Sequence, residues 1–214
     1  MRKKRSDAIK TRLALLEAAA EVFAEEGFWK PTHEAICHRA HANTASINYH
    51  FGSKENLYVE AWKYAFEKSI RKHPPEGRAL PGDPIEKRIR ERILSLLNRL
   101  LDPETHDMDI AAKELTNPTG LLGEEIAKSM APLDNAFKLQ LREFLGRGAS
   151  DEKVTFCYLS ILNQAFSPPF RHFRPGSGKF LFPTGSFDMS GVEEVVDHIV
   201  QFVFSGINSF RDTA

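Results

Sequence analysis

Between Thr32 and Lys54 the chain concentrates side chains that donate or accept hydrogen bonds, with Glu34 as the single acid among them. Thr32, His33, Asn43, Thr44, Ser46, Asn48, Tyr49, His50 and Lys54 are of the types that meet phosphate oxygens and base edges of a nucleic acid. Acidic side chains in the same strip would be repelled by phosphates. Helix starts expected at Thr32 and Ser53 add free backbone N–H groups, which suit phosphate oxygens. The Arg2–Arg5 run either reaches phosphates or a neighbouring groove, or is a frayed solubilising end.

The same region carries residues of other chemistries. His33, Cys37 and His41 lie four residues apart and could line one helical face as metal ligands. His41 falls in a turn, however, and His33 is where nucleic acid would lie, so no metal site is expected. His172, between Arg171 and Arg174, reads either as an anion-binding group or as part of an exposed loop. No nucleophile elbow, phosphate-binding glycine loop or His-Glu metal motif occurs, so neither an enzyme nor a cofactor is expected.

The strip needs two short helices and a tight turn. Thr32 after Pro31 predicts the cap of a helix that turns Ala35, Ile36 and Ala40 inward. After the turn His41-Ala42-Asn43, Asn43 caps a second short helix with Ile47 and Phe51 inward, stopped by Gly52. That phase leaves Thr44, Ala45, Asn48 and Tyr49 on the outer face. A unit of this size can set its second helix in a major groove. A longer helix precedes it, from about Asp7 to Glu26, with Ile9, Leu13, Leu16, Ala20 and Phe23 as its buried stripe. Another follows, capped by Ser53 and running to about Lys72, with Leu57, Ala61, Tyr64 and Ala65 available for packing.

Apolar residues recur at spacings of three and four almost throughout, which predicts an all-α chain of about nine helices. Pro74, Pro75, Gly77, Pro81 and Gly82 break the pattern at 73–84. Asp83-Pro84-Ile85-Glu86 then opens a helix burying Ile85, Ile89, Ile93, Leu96, Leu97 and Leu100. A short helix over Met108–Leu115 is expected next. The long series Leu122, Ile126, Met130, Leu133, Phe137, Leu141 and Phe144 follows, with a kink expected at Pro132. Helices from about Ser150 to Phe166 and Ser190 to Phe210 complete the chain. Between them, 167–189 carries five phenylalanines among prolines and glycines, a long loop expected to pack on something.

Charge divides along the same line. Residues 1–72 hold 13 Lys and Arg against 9 Asp and Glu, while 73–214 hold 16 against 20. A basic first third suits contact with a polyanion. Two distant cysteines describe neither a disulfide scaffold nor a four-cysteine metal site. No apolar run approaches the ~20 residues that span a bilayer, and no secretory segment follows Arg5, so a cytoplasmic protein without membrane contact is expected.

The stretch Leu15–Leu57 resembles the DNA-binding domain of the TetR family. Ala18 to Phe28, Ile36, Ala40 and above all Ile47-Asn48-Tyr49-His50-Phe51-Gly52-Ser53-Lys54-Glu55-Asn56-Leu57 carry that resemblance. It implies a three-helix helix-turn-helix domain over 1–72, the break at 73–84, and a larger helical effector-binding and dimerisation domain over 85–214. By position, Thr32, Tyr49, His50 and Lys54 would hold phosphates, and His33, Thr44, Ala45 and Asn48 would meet base edges. Asn43 and Ser46 complete the expected DNA-binding set. Tyr49 and His50 can equally be packing residues at the core edge. The sequence departs from the family at His41, where the turn usually has glycine, and at Asn43, where Ser or Thr is common.

The resemblance further implies a homodimer on a palindromic double-stranded operator, acting as a repressor and released by a small-molecule effector. Val192, Val195, Ile199, Phe202 and Val203 on the last helix would form the dimer interface, unless that stripe is buried within one chain. Met108, Phe137, Phe166 and His172 would line the effector site, although the apolar three serve as well for plain core. The alternative is a DNA-bound adaptor acting through a protein partner without a small ligand.

Overall fold

The computed structural model describes residues 2–146, 148–166 and 192–211, with side chains over 6–146, 148–166 and 192–206. Among them are nine helices and no strand: α1 (Arg2–Glu26), α2 (His33–Arg39), α3 (Ala45–Phe51), α4 (Lys54–Lys72), α5 (Ile85–Leu101), α6 (Asp107–Thr116), α7 (Gly123–Leu145), α8 (Asp151–Ala165) and α9 (Val192–Arg211). The expected segment 167–189, with His172, and the Ser190 cap lie outside the described residues. None of the helices searched is long and apolar enough to cross a membrane.

Two compact units divide the chain, and they do not follow it linearly. The first comprises Met1–Arg71 with Glu104–Ser129, the second Lys72–Pro103 with Met130–Ala214. Helix α6 thus belongs with the first four helices, where it packs on α1. Its hydrogen bonds explain the attachment. Trp62 Nε1 on α4 donates to the Asp107 carbonyl at 3.2 Å, and the Tyr58 hydroxyl donates to Glu114 at 3.2 Å. Glu114 is buried, and its carboxylate also accepts from the Thr119 and Gly120 N–H groups at 3.0 and 3.1 Å. A buried carboxylate is tolerated when its lone pairs are filled in this way.

In the first unit α1 meets α2, α3 and α6, so its buried face is wide. Leu15, Leu16, Ala18, Ala19, Ala20, Val22 and Phe23 are all buried. The narrow stripe expected from the sequence is corrected at its N-terminal end, where Ile9 and Leu13 are exposed. The helix begins five residues earlier than expected, and Ile9, Leu13 and Glu17, four apart, lie along its outward side. Tyr58 and Trp62, both fully buried, join Leu57, Ala61 and Ala65 from α4, and Phe23 meets Tyr58 edge to face at 4.8 Å.

The second unit packs α5, α8 and α9 on one another. Ile89, Ile93 and Leu97 close on Phe137, Leu141 and Phe144 of α7, Tyr158 and Ile161 of α8, and Val196, Ile199 and Val203 of α9. Helix α7 continues through Pro132. Asp83 does not cap α5: its carboxylate accepts from the Leu80 N–H at 2.8 Å and from Lys87 at 3.0 Å, closing the preceding turn instead.

Burial bears on two sets of expected site residues, for each of which the sequence also allowed plain core. On α9, Ile199 and Val203 are buried in the core of their own unit, and Val192 and Val195 are half-buried against the same core. Phe202 alone of the five stands outward, 64% exposed. Of the expected effector residues, Phe137 is core, edge to face with Tyr158 at 5.8 Å. Met108 is half-buried at the start of α6 in the first unit. Phe166 is half-buried in the second, ending α8 with its N–H on the Leu162 carbonyl at 2.7 Å.

Candidate nucleic-acid interface

Helix α2 starts where Thr32 Oγ1 accepts from the Ala35 N–H at 3.1 Å. That leaves the hydroxyl proton of Thr32 able to donate elsewhere. The helix closes as Ala40 N–H meets the Ile36 carbonyl at 2.9 Å and Ala42 N–H meets the Cys37 carbonyl at 2.9 Å. Between them His41 takes φ 50°, the one positive φ outside glycine among the described residues. The position does require the left-handed backbone that glycine adopts freely, and histidine holds it at a cost.

Asn43 then carries the cap of α3, although the helix itself is counted from Ala45. Its Oδ1 accepts from the Ala45 N–H and its carbonyl from the Ser46 N–H, both at 2.8 Å. The buried Cys37 thiol donates to that carbonyl at 3.4 Å, and burial pushes its ionisation up. Cys37 therefore packs the turn as a neutral thiol. No three His, Cys, Asp or Glu side chains among the described residues are placed to hold a metal ion.

One face of α3 is locked and the other is open. Ile47 and Phe51 are buried, while Thr44, Ala45, Asn48 and Tyr49 are exposed, Tyr49 to 79%. Ser46 and His50 are half-buried, and His50 stands edge-on to Tyr49 at 4.8 Å. The Arg12 guanidinium lies over the Phe51 ring at 5.1 Å and donates to Glu60 at 2.9 Å, so α1, α3 and α4 are pinned at one point. Sequence periodicity did not single out Arg12, because a charged residue on the wide α1 face reads as solvated. Gly52 ends the helix at φ 78°, and Ser53 Oγ accepts from the Asn56 N–H to start α4.

Lys54 is placed differently from a free surface cation. Its ammonium donates to the Pro31 carbonyl at 2.5 Å and sits 4.7 Å from the centre of the Phe28 ring. Partial burial holds its ionisation below the ordinary lysine value. Two of its three N–H donors are not used by Pro31, and the first fixes the segment entering α2 beside Thr32. His33 is half-buried one residue further on.

Two short helices joined by the short turn 40–44, with the second helix open on its outer face, define a helix-turn-helix unit of the DNA-binding kind. Residues 15–61 match the family model of the bacterial regulatory proteins of the tetR family, and residues 85–207 match that of the C-terminal domain of the HTH-type transcriptional dual regulator CecR. The chain belongs to the TetR family of transcriptional regulators and carries a CecR-type C-terminal domain. It is 27% identical to the dual regulator CecR of Shigella flexneri, over 84% of this chain and 83% of that one. It is 26% identical to the transcriptional repressor NicS of Pseudomonas putida, over 73% and 74%. Its fold is shared with a TetR-like regulator from Rhodococcus sp. RHA1 at TM-score 0.69 and 15% identity, covering 92% and 96% of the two chains. AibR, crystallised in complex with isovaleryl coenzyme A and operator DNA, aligns at TM-score 0.63 and 15% identity over 91% and 98%.

Proposed function

We propose that the chain works in the cytoplasm as a homodimeric repressor, binding a palindromic operator through α3 and released by a small molecule. The observation that carries this reading is the outward strip of α3: Thr44, Ala45, Asn48 and Tyr49 stand free on a helix whose opposite face is locked by Ile47 and Phe51. Asn48, with Thr44, Ala45 and His33, is assigned to base edges. Tyr49, His50 and the hydroxyl of Thr32 are assigned to phosphates, with Asn43 and Ser46 holding the helix entry. Lys54 serves twice, fixing the Pro31 carbonyl and offering its remaining donors to a phosphate. Repression is favoured by the NicS relative, and an effector by the operator and coenzyme A thioester in the AibR complex.

Dimerisation is assigned to the outward faces of α8 and α9. Phe156 is 68% exposed there, Leu159 is exposed beside it, and Phe202 is turned out from α9. Large apolar side chains left open on neighbouring helices commonly mark an interface. A two-fold dimer places two recognition helices over half-sites about 34–36 Å apart.

Selection from a random duplex library at moderate salt, followed by gel shift, tests this directly. A palindrome is expected. Tyr49→Ala should weaken binding to every sequence alike, whereas Asn48→Ala should lose about 1–3 kcal/mol of discrimination at one base position per half-site. Recovery of no enriched palindrome sinks the proposal, and equal binding by both variants removes the contact map.

A further inference from the structure

Within the second unit, a concavity of about 310 Å³ opens where the 76–81 segment lies along α5 and α7. Its floor is Arg92, only 5% exposed although charged. The guanidinium donates through Nε to Gln140 Oε1 at 2.8 Å and lies 5.5 Å from the centre of the Phe137 ring. Its Nη2 donates to Glu76 Oε1, while Gln140 Nε2 donates to Glu76 Oε2 at 3.2 Å. Both oxygens of one carboxylate are therefore held by a buried guanidinium and an amide, the arrangement by which proteins recognise carboxylates.

The backbone around that carboxylate is held to α5 by the Ser95 hydroxyl on the Pro74 carbonyl at 2.6 Å and by the Arg78 N–H on Glu91 at 3.0 Å, so only the Glu76 side chain is free to leave. Glu76 comes from the segment between α4 and α5, and its side chain is more than half exposed. Gly77 follows at φ 57°, with no room for a side chain, because a Cβ would stand 2.8 Å from the Glu91 carbonyl oxygen. The rim of the same concavity carries two open aliphatic side chains, Leu80 and Leu139, 68% and 66% exposed, beside the Arg88–Glu143 ion pair at 3.0 Å. Two large aliphatic side chains beside a buried cation match a small molecule with a carboxylate head and an aliphatic body.

We infer that this concavity is a binding site for a medium-chain carboxylic acid, in which Glu76 is a tethered stand-in for the ligand's carboxylate. The acid takes the place of Glu76 on Arg92 and Gln140, and its chain covers Leu80 and Leu139. The Glu76 side chain, already more than half exposed, turns out to solvent while its backbone stays on α5. No bond is made or broken. The site is distinct from the DNA-contact strip, and its test uses no DNA, so it stands or falls separately from the regulator reading.

Calorimetric titration of the full chain with octanoate, against 1-octanol and acetate, provides the test. Octanoate is expected to bind at least ten times more tightly than either control, each of which lacks one half of the pharmacophore. Removing the tethered competitor with Glu76→Gln should tighten octanoate binding by about tenfold, since an intramolecular rival acts at millimolar effective concentration. Leu139→Asp, on the open rim, should weaken it by at least as much. Absence of octanoate binding at millimolar concentration, equal binding of octanol, or unchanged affinity in both variants would each overturn the inference.

Discussion

At His41 the backbone conformation, and not any contact of the imidazole, is what the turn demands. A left-handed conformation costs an ordinary L-residue about 1–2 kcal/mol, partly offset by the extra chain entropy that glycine loses on folding. His41→Gly should therefore stabilise the chain by about 0.5–1 kcal/mol in urea denaturation, with the selected operator unchanged. Gly52→Ala is the converse: a Cβ there would meet only the Asn56 amide at 3.7 Å, so its cost of about 1–2 kcal/mol is purely backbone. Two tyrosines give a pH signature. Burial, then the carboxylates of Glu114 and Asp134, push the Tyr58 and Tyr158 phenols well above the ordinary value near 10. Folding thus favours the protonated phenols; their stabilisation is complete below pH ~10 and is lost as pH rises toward the folded values. Absorbance at alkaline pH should show these two of the four tyrosines ionising only together with unfolding. Their ionisation in the still folded chain would contradict the packing described.

Among the elements, α6 has the most revealing attachment. Its Glu114 satisfies the Tyr58 hydroxyl from α4 and the backbone of the Thr119–Gly120 turn at once. Glu114→Ala would leave the buried Tyr58 hydroxyl without an acceptor and the Thr119–Gly120 turn without its anchor, and should cost about 1–3 kcal/mol. A lower urea midpoint with an unchanged m-value would report that loss. A shift under 1 kcal/mol would show that the turn re-satisfies itself. Helix α3 owes its stability to a different source: seven residues cannot hold a helix alone, and the Asn43 cap, Ile47, Phe51 and the Arg12 cation over Phe51 do so together.

For the whole molecule, the outward apolar side chains of α8 and α9 set the expected assembly. Phe156→Asp with Phe202→Asp should give a monomer by light scattering, since each charge would be buried unpaired at the interface. That monomer should keep its helix content and lose at least a hundredfold in operator affinity, because one half-site contributes far less than two linked ones. An unchanged dimer would send the interface elsewhere. Operator affinity should also fall steeply with salt, the slope reporting the phosphates neutralised. A basic segment over 1–72 in a chain of zero net charge is suited to that dependence.

How much of this was legible beforehand follows from how local each feature is. Periodicity, caps and glycine stops depend on residues within one or two turns of each other, so the existence of α2, α3 and α4 and the phase of α3 could be read directly, and with them the outward strip of the candidate site; on α2 the expected Ala35 is exposed and Cys37 is buried in its place. Where a helix has several partners, the pattern loses its edge: α1 is covered on more than one side, and its true buried face is broader than one stripe. Whether Ile199 or Phe202 faces a partner depends on which side of α9 its own chain already covers, a fact fixed by α5 and α8 far away in sequence. The enlistment of α6 with the first helices, the inward turn of Lys54 toward Pro31, and the meeting of Glu76 with Arg92 and Gln140 all join residues 16 to 64 positions apart. Sequence alone determined the helices and the chemistry carried on their faces; only tertiary packing decided which of those faces remain free, because burial is a property of neighbours and not of spacing.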